Sequence, residues 1–121
     1  EYARTTNDEL FGVQIIIPLD NFTLENGATC ILPGSYKNRY YYKDILENQE
    51  GYNELLTTQG FQFVSNPGDA LIYNSRTLHS TMPNNSNEFR SALLMNALDV
   101  NIIDHMKELD YNTKTARNKK K

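Results

Sequence analysis

GDALIYNSRTLHSTMPNNSNEFRSALLMN, residues 68–96, is the stretch on which the reading of this chain turns. An apolar run ends at His79, and Arg90 opens a second run eleven residues later. The MPNNSNE segment between them is a turn, since proline cannot extend a ladder and asparagine tolerates turn conformations. Strand, turn and strand are therefore expected as a hairpin that points both side chains into one cavity. A neutral imidazole is a common transition-metal ligand. A guanidinium holds a carboxylate through two parallel hydrogen bonds. A metal ligand beside a carboxylate clamp points to an iron site that uses an organic-acid cosubstrate. One ligand cannot hold a metal, so the others have to be sought.

Outward from this stretch the pattern is mostly strand. FGVQIIIPL, residues 11–19, is rich in β-branched side chains with Gln14 as its polar interruption, and reads as a strand buried on both faces or nearly so. Asp20–Gly27 closes on the Asn26-Gly27 turn signal, and Ala28–Leu32 forms a second strand stopped by Pro33-Gly34-Ser35. Residues 36–59 mix Tyr, Leu and Ile with Lys, Glu and Gln, as one or two short helices broken near Gly51 on the outside of the sheet. Strands resume at Phe61–Ser65, Ala70–Tyr73, Thr77–Thr81 and Arg90–Leu98, with the Asn66-Pro67-Gly68-Asp69 turn between the first two. NIIDHMKELD, residues 101–110, reads as a short helix ahead of a polar, basic tail. The fold class is all-β with short helices, a jelly-roll-like sandwich or barrel with a helical insertion at about 36–59 on its rim.

Composition narrows the function classes. The 121 residues allow one domain with a real core. A net charge of −3 and a pI near 5.3 give no electrostatic footprint for nucleic acid. Arg117–Lys121 is a short basic cluster that reads as a solvated tail. No apolar run approaches the roughly 20 residues that cross a bilayer, so no membrane partner is expected. The single cysteine, Cys30, lies in the apolar run ATCIL and reads as a small buried hydrophobe in a reducing compartment, the cytoplasm by default.

At this point the residues carry a resemblance. Leu19-Asp20, Glu25-Asn26-Gly27-Ala28 and Pro33-Gly34-Ser35, followed by Gly68-Asp69, His79 and Arg90, resemble in order and spacing the signatures of the phytanoyl-CoA dioxygenase family. The match runs from about Phe11 to Asn96, with Tyr36 standing where the family often has histidine. The resemblance implies a double-stranded β-helix, cupin-like, that depends on Fe(II) and on 2-oxoglutarate as cosubstrate. It implies a facial triad of a His-x-Asp pair plus a distal histidine, with positions left open for cosubstrate and oxygen. His79 matches the distal histidine. Arg90 matches the arginine on the far carboxylate of 2-oxoglutarate, and Thr81 matches a hydroxyl position on that same carboxylate. Hydroxylation of a small organic substrate, coupled to decarboxylation of 2-oxoglutarate to succinate, is the usual outcome in the family.

The His-x-Asp pair is missing, since no histidine precedes His79. The chain also begins without methionine, and the expectation is an N-terminally truncated domain over residues 1–105 with the pair upstream of Glu1. Such a fragment alone is expected to be inactive. A metal-free relative is the next account, and Glu1 as a ligand is a remote third.

Plainer readings stand beside each assignment. His79 could be a structural histidine, and Arg90 could pair with Glu88 or Asp69 on the surface for about 0–1 kcal/mol. Gln14 faces either the cosubstrate cavity or a core hydrogen bond. His105 reads as a surface histidine, and Tyr40-Tyr41-Tyr42 as helix packing rather than a substrate entrance. Two alternatives from other classes stay open: a jelly-roll module that binds a small anion without iron, and a structural jelly roll. Hydroxylase or halogenase chemistry depends on the missing carboxylate position. Neither the substrate nor the oligomeric state is legible.

Overall fold

The computed structural model describes residues 12–38, 45 and 47–100. The isoleucine-rich segment forms β1 (Gly12–Pro18), as its β-branched side chains favour. It lies at the centre of an antiparallel sheet between β4 (Leu71–Asn74) and β6 (Ala92–Leu98), the latter paired with it over all seven of its residues. A second antiparallel sheet is centred on β2 (Cys30–Ile31), flanked by β3 (Phe61–Gln62) and β5 (His79–Ser80). A single 3-10 turn lies at Ser35–Lys37 and the helix α1 runs over Gln49–Gln59, with Ile45, Glu47 and Val100 also helical.

Register decides which side chains meet. Antiparallel pairing puts Tyr73, Gln14 and Asn96 in one row across the first sheet, and Leu71, Ile16 and Leu94 in the next row on the same face. Ile16, Phe22, Ala28 and Tyr73 form a buried cluster with Phe63 against it, and the rings of Phe22 and Phe63 meet edge to face. A second cluster of Cys30, Leu56 and Leu78 seats α1 on the other sheet. Burial of a leucine side chain such as Leu56 contributes about 1.5–3 kcal/mol.

Three expectations change. First, β5 and β6 do not form a hairpin; they belong to different sheets. The connection is held instead against the Asn26-Gly27 turn, where Asn85 N donates to Glu25 O at 2.9 Å, and it carries the chain from one sheet to the other. Second, the helical break expected near Gly51 falls at Asn48, between the helical residues Ile45 and Glu47 and the start of α1, and not at the glycine itself. Gly51 sits in the first turn of α1, where its N–H donates to the side chain of the capping residue Asn48. Third, the strands read as Ala28–Leu32, Phe61–Ser65 and Thr77–Thr81 are each ladder-paired over two residues only. β1 itself has no exposed residue, close to the strand buried on both faces or nearly so that its composition suggests, although its neighbours Ile72 and Leu93 are 63% and 52% exposed. Tyr40-Tyr41-Tyr42, His105, the 101–110 helix and the basic tail lie outside the described residues.

Candidate active site

A cavity of about 520 Å³ opens between the two sheets, a volume in the range of small-molecule sites. Gln14, His79, Thr81 and Arg90, the four residues singled out in the sequence, all line it. The shared cavity thus exists without the expected hairpin. Its walls come from facing sheets rather than from neighbouring strands.

His79 stands on β5 with Nδ1 2.8 Å from Thr77 O. A carbonyl oxygen only accepts, so Nδ1 carries a proton, which in the neutral ring leaves the lone pair on Nε2, the form a metal ligand needs. The ring packs on Tyr73 with centroids 5.0 Å apart at 62°. The strand beneath is fixed from two sides. Leu32 N donates to Leu78 O at 2.9 Å, and Leu78 N donates to the buried Ser35 Oγ at 2.8 Å. The Pro-Gly-Ser segment therefore acts as a tether for the residue beside His79, and Gly34, at φ +78°, makes the bend that brings Ser35 inward.

Arg90 is equally well braced. Its Nε donates to Asn26 O at 3.1 Å, and its guanidinium lies over the Phe22 ring at 4.7 Å from the centroid. Such stacking restrains the side chain. With Nε engaged, the two terminal nitrogens are left as the parallel donors that a carboxylate takes. Burial pushes the guanidinium down from its ordinary value, yet arginine stays charged at any working pH. Glu88 and Asp69 are not its partners here: the Asp69 carboxylate accepts from Asn66 N within its own turn.

Asn26 itself is 2% exposed and fully engaged. Its Oδ1 accepts from Thr23 N, its N–H donates to Thr23 Oγ1, and its Nδ2 donates to Asn21 O. Gly27 follows at φ +80°, and a Cβ there would overlap Met82 O and come within 2.9 Å of Pro83 O. Asp20 accepts from Ser91 N at 2.9 Å, next to Arg90. The short signatures Leu-Asp, Glu-Asn-Gly-Ala and Pro-Gly-Ser thus hold backbone beside His79 or Arg90.

Four polar cavity residues escaped the sequence reading: Tyr73, Thr29, Ser80 and Asn96. Tyr73 Oη donates to Gln14 Oε1 at 2.7 Å, and desolvation pushes the phenol up to about 12, so it remains a donor. Correct pairing of β1 with β4 and β6 would have found Tyr73 and Asn96, because both oppose Gln14. Cys30 is buried, with its thiol pushed up by desolvation, and stands apart from the cavity lining. Among the described residues, no three of His, Cys, Asp and Glu come together as a metal site, and no helix is long and apolar enough to cross a membrane. The residues present fit one corner of an iron and 2-oxoglutarate site: a single imidazole with a free lone pair, and a carboxylate clamp across the same cavity.

The family model of phytanoyl-CoA dioxygenase (PhyH) matches residues 2–92. The chain belongs to the phytanoyl-CoA dioxygenase family. Fe(II) and 2-oxoglutarate are the cofactor and cosubstrate of this family. Similar proteins include dioxygenase cdmD of Talaromyces verruculosus, 26% identical over 95 residues, and dioxygenase lolE1 of Epichloe uncinata, 30% identical over 84 residues. A probable alpha-ketoglutarate-dependent hypophosphite dioxygenase of Stutzerimonas stutzeri is 31% identical over 99 residues. These matches cover 78%, 67% and 74% of this chain, but 28%, 31% and 34% of the respective relatives. The phytanoyl-CoA dioxygenase segment thus spans about a third of the length of the relatives it matches. In fold it resembles HygX of Streptomyces hygroscopicus, whose crystal structure holds nickel, 2-oxoglutarate and hygromycin B. The TM-score is 0.59 at 19% identity, over 74% of this chain and 36% of HygX.

Proposed function

We propose that the full-length protein is an Fe(II)- and 2-oxoglutarate-dependent dioxygenase that hydroxylates a small organic substrate. The observation that carries this reading is the joint placement of His79 and Arg90 on one cavity, each braced by the signature residues around it. His79 would hold iron through Nε2. The other two ligands, a His-x-Asp pair, would come from outside the described residues, and residues 1–105 would form part of the oxygenase domain. Bound iron supplies oxygen activation coupled to oxidative decarboxylation of 2-oxoglutarate to succinate.

The residues of this chain supply position. Arg90 offers two charge-assisted donors to the far carboxylate of the cosubstrate, and Thr81, lining the same cavity, adds a hydroxyl. Held at that end, a five-carbon diacid presents its keto acid end toward His79. Gln14 faces the cavity from β1 and would contact the bound cosubstrate. The buried Ile16, in the next row on the same face as Gln14, also lines the cavity and would limit water beside it.

Substrate choice falls to the 36–59 insertion. Its helix α1 places Asn53 and Thr57 in a second groove of about 430 Å³, which shares Ser80 and Thr81 with the main cavity. The free, buried Cys30 suits a reducing compartment such as the cytoplasm. The test is Fe(II)-dependent conversion of 2-oxoglutarate to succinate by the full-length protein, with His79→Ala as comparison. Turnover lost in the variant supports the reading. Iron-loaded wild type with no turnover, or a His79→Ala variant as active as wild type, would refute it.

A further inference from the structure

Tyr73 is 7% exposed and makes two directed contacts. Its hydroxyl donates to Gln14 Oε1 at 2.7 Å, and its ring meets the His79 ring edge to face at 5.0 Å. The contacts come from opposite ends of one side chain and reach the two sheets that wall the cavity. Gln14 and Tyr73 are direct cross-strand partners in the β1–β4 register, so the hydroxyl and the amide share one face by construction.

The chemistry of a glutamine amide gives this bond its consequence. The carbonyl and amino ends are nearly equal in size, and rotation about the last bond exchanges acceptor for donor. A carboxylate or keto oxygen in the cavity needs the donor end. Here the phenol donates its proton to Oε1, and in that arrangement Nε2 points the other way. Without that bond, nothing in the adjoining row of Leu71, Ile16 and Leu94 can select, because those side chains carry no polar atoms.

We propose that Tyr73 is a positioning residue that orients the Gln14 amide as a hydrogen-bond donor to the bound cosubstrate while its ring steadies the imidazole of His79. The inference rests on the 2-oxoglutarate reading of the site. It makes the two roles of Tyr73 separable: the hydroxyl acts on the cosubstrate, the ring on the metal ligand.

Calorimetric titration of the full-length protein under anaerobic conditions tests it, with Fe(II) and then 2-oxoglutarate as the titrants. Tyr73→Phe keeps the ring and removes the hydroxyl. It is expected to leave Fe(II) affinity within about twofold of wild type and to weaken 2-oxoglutarate about five- to tenfold, the size of one hydrogen bond. Gln14→Leu is expected to weaken 2-oxoglutarate by a similar factor, and the double variant to add nothing to either, as for two members of one unit. Tyr73→Leu removes the ring as well and is expected to weaken Fe(II) too. Gln14→Glu, which keeps an acceptor for the phenol but turns the donor into an anion, is expected to weaken 2-oxoglutarate by more than about 20-fold. A Tyr73→Phe variant that binds 2-oxoglutarate like wild type, single effects that multiply in the double variant, or a Gln14→Glu variant with wild-type affinity would each overturn the proposal. Were iron-loaded wild type itself to show no 2-oxoglutarate binding, the reading of the whole site would fall, and this inference with it.

Discussion

Ser35→Ala isolates the tether beneath the metal ligand. Ser35 is 2% exposed and Leu78 is 7% exposed, and the bond between Leu78 N and Ser35 Oγ measures 2.8 Å. Alanine removes the acceptor while the donor stays buried, and the space vacated by one oxygen is smaller than a water molecule. A buried backbone donor left without a partner costs about 1–3 kcal/mol. The Leu32 N to Leu78 O bond persists, so the β2–β5 ladder is expected to hold while the backbone at His79 loosens. Urea unfolding of the full-length protein would show a stability loss of about 1–3 kcal/mol with an unchanged m-value. Thr58→Ala makes the contrast: its hydroxyl also bonds the backbone, donating to Glu54 O, but on the exposed face of α1, and its cost is expected within about 0.5 kcal/mol. The reasoning is refuted if Ser35→Ala is no more destabilising than Thr58→Ala.

Other expectations follow from the same contacts. Gly27→Ala and Gly34→Ala both place an alanine at positive φ, worth about 1–2 kcal/mol each. Only the Gly27 methyl strikes backbone, at Met82 O and Pro83 O, whereas nothing lies within 4 Å at Gly34. Unfolding measurements should therefore rank Gly27→Ala as clearly the worse, and equal costs would contradict the packing described. Tyr73 titrates near 12 in the folded protein against about 10 unfolded. The unfolded state thus loses this proton first, so its contribution to stability is intact below pH 10 and falls as pH rises from 10 toward 12. Tyr73→Phe should flatten the stability profile over that window, and an unchanged slope would argue against a desolvated phenol.

The sequence reading and the structure agree where local chemistry dominates. β1 was legible because Ile15, Ile16 and Ile17 favour strand whatever surrounds them. The turns at Asn26-Gly27 and Asn66–Asp69 were legible because their residues suit turn conformations and hydrogen-bond locally. His79, Arg90, Thr81 and Gln14 were found from motif and spacing, and all four reached one cavity.

The pairing between segments was not legible. The MPNNSNE segment, residues 82–88, looks like a hairpin turn by composition, yet contacts with Glu25 and the Gly27 turn send the chain to the other sheet. Those contacts are long-range and leave no local signature. Tyr73 was missed for the same reason, since its importance lies in the strand opposite Gln14 and the ring opposite His79. Gly51 marked the neighbourhood of the helical break but not its residue, which is Asn48, because glycine inside a helical pattern usually weakens it. Here, at the first turn, the glycine leaves room for the Asn48 cap, whose Nδ2 a Cβ would approach to 2.6 Å.

The account stands or falls on whether Arg90 holds the far carboxylate of 2-oxoglutarate. Anaerobic titration of 2-oxoglutarate into the iron-loaded full-length protein and its Arg90→Ala variant measures this directly. Loss of a partly buried, charge-assisted pair costs about 2–5 kcal/mol, so the variant is expected to bind at least about 30-fold more weakly. Equal affinity in the two proteins would contradict the account.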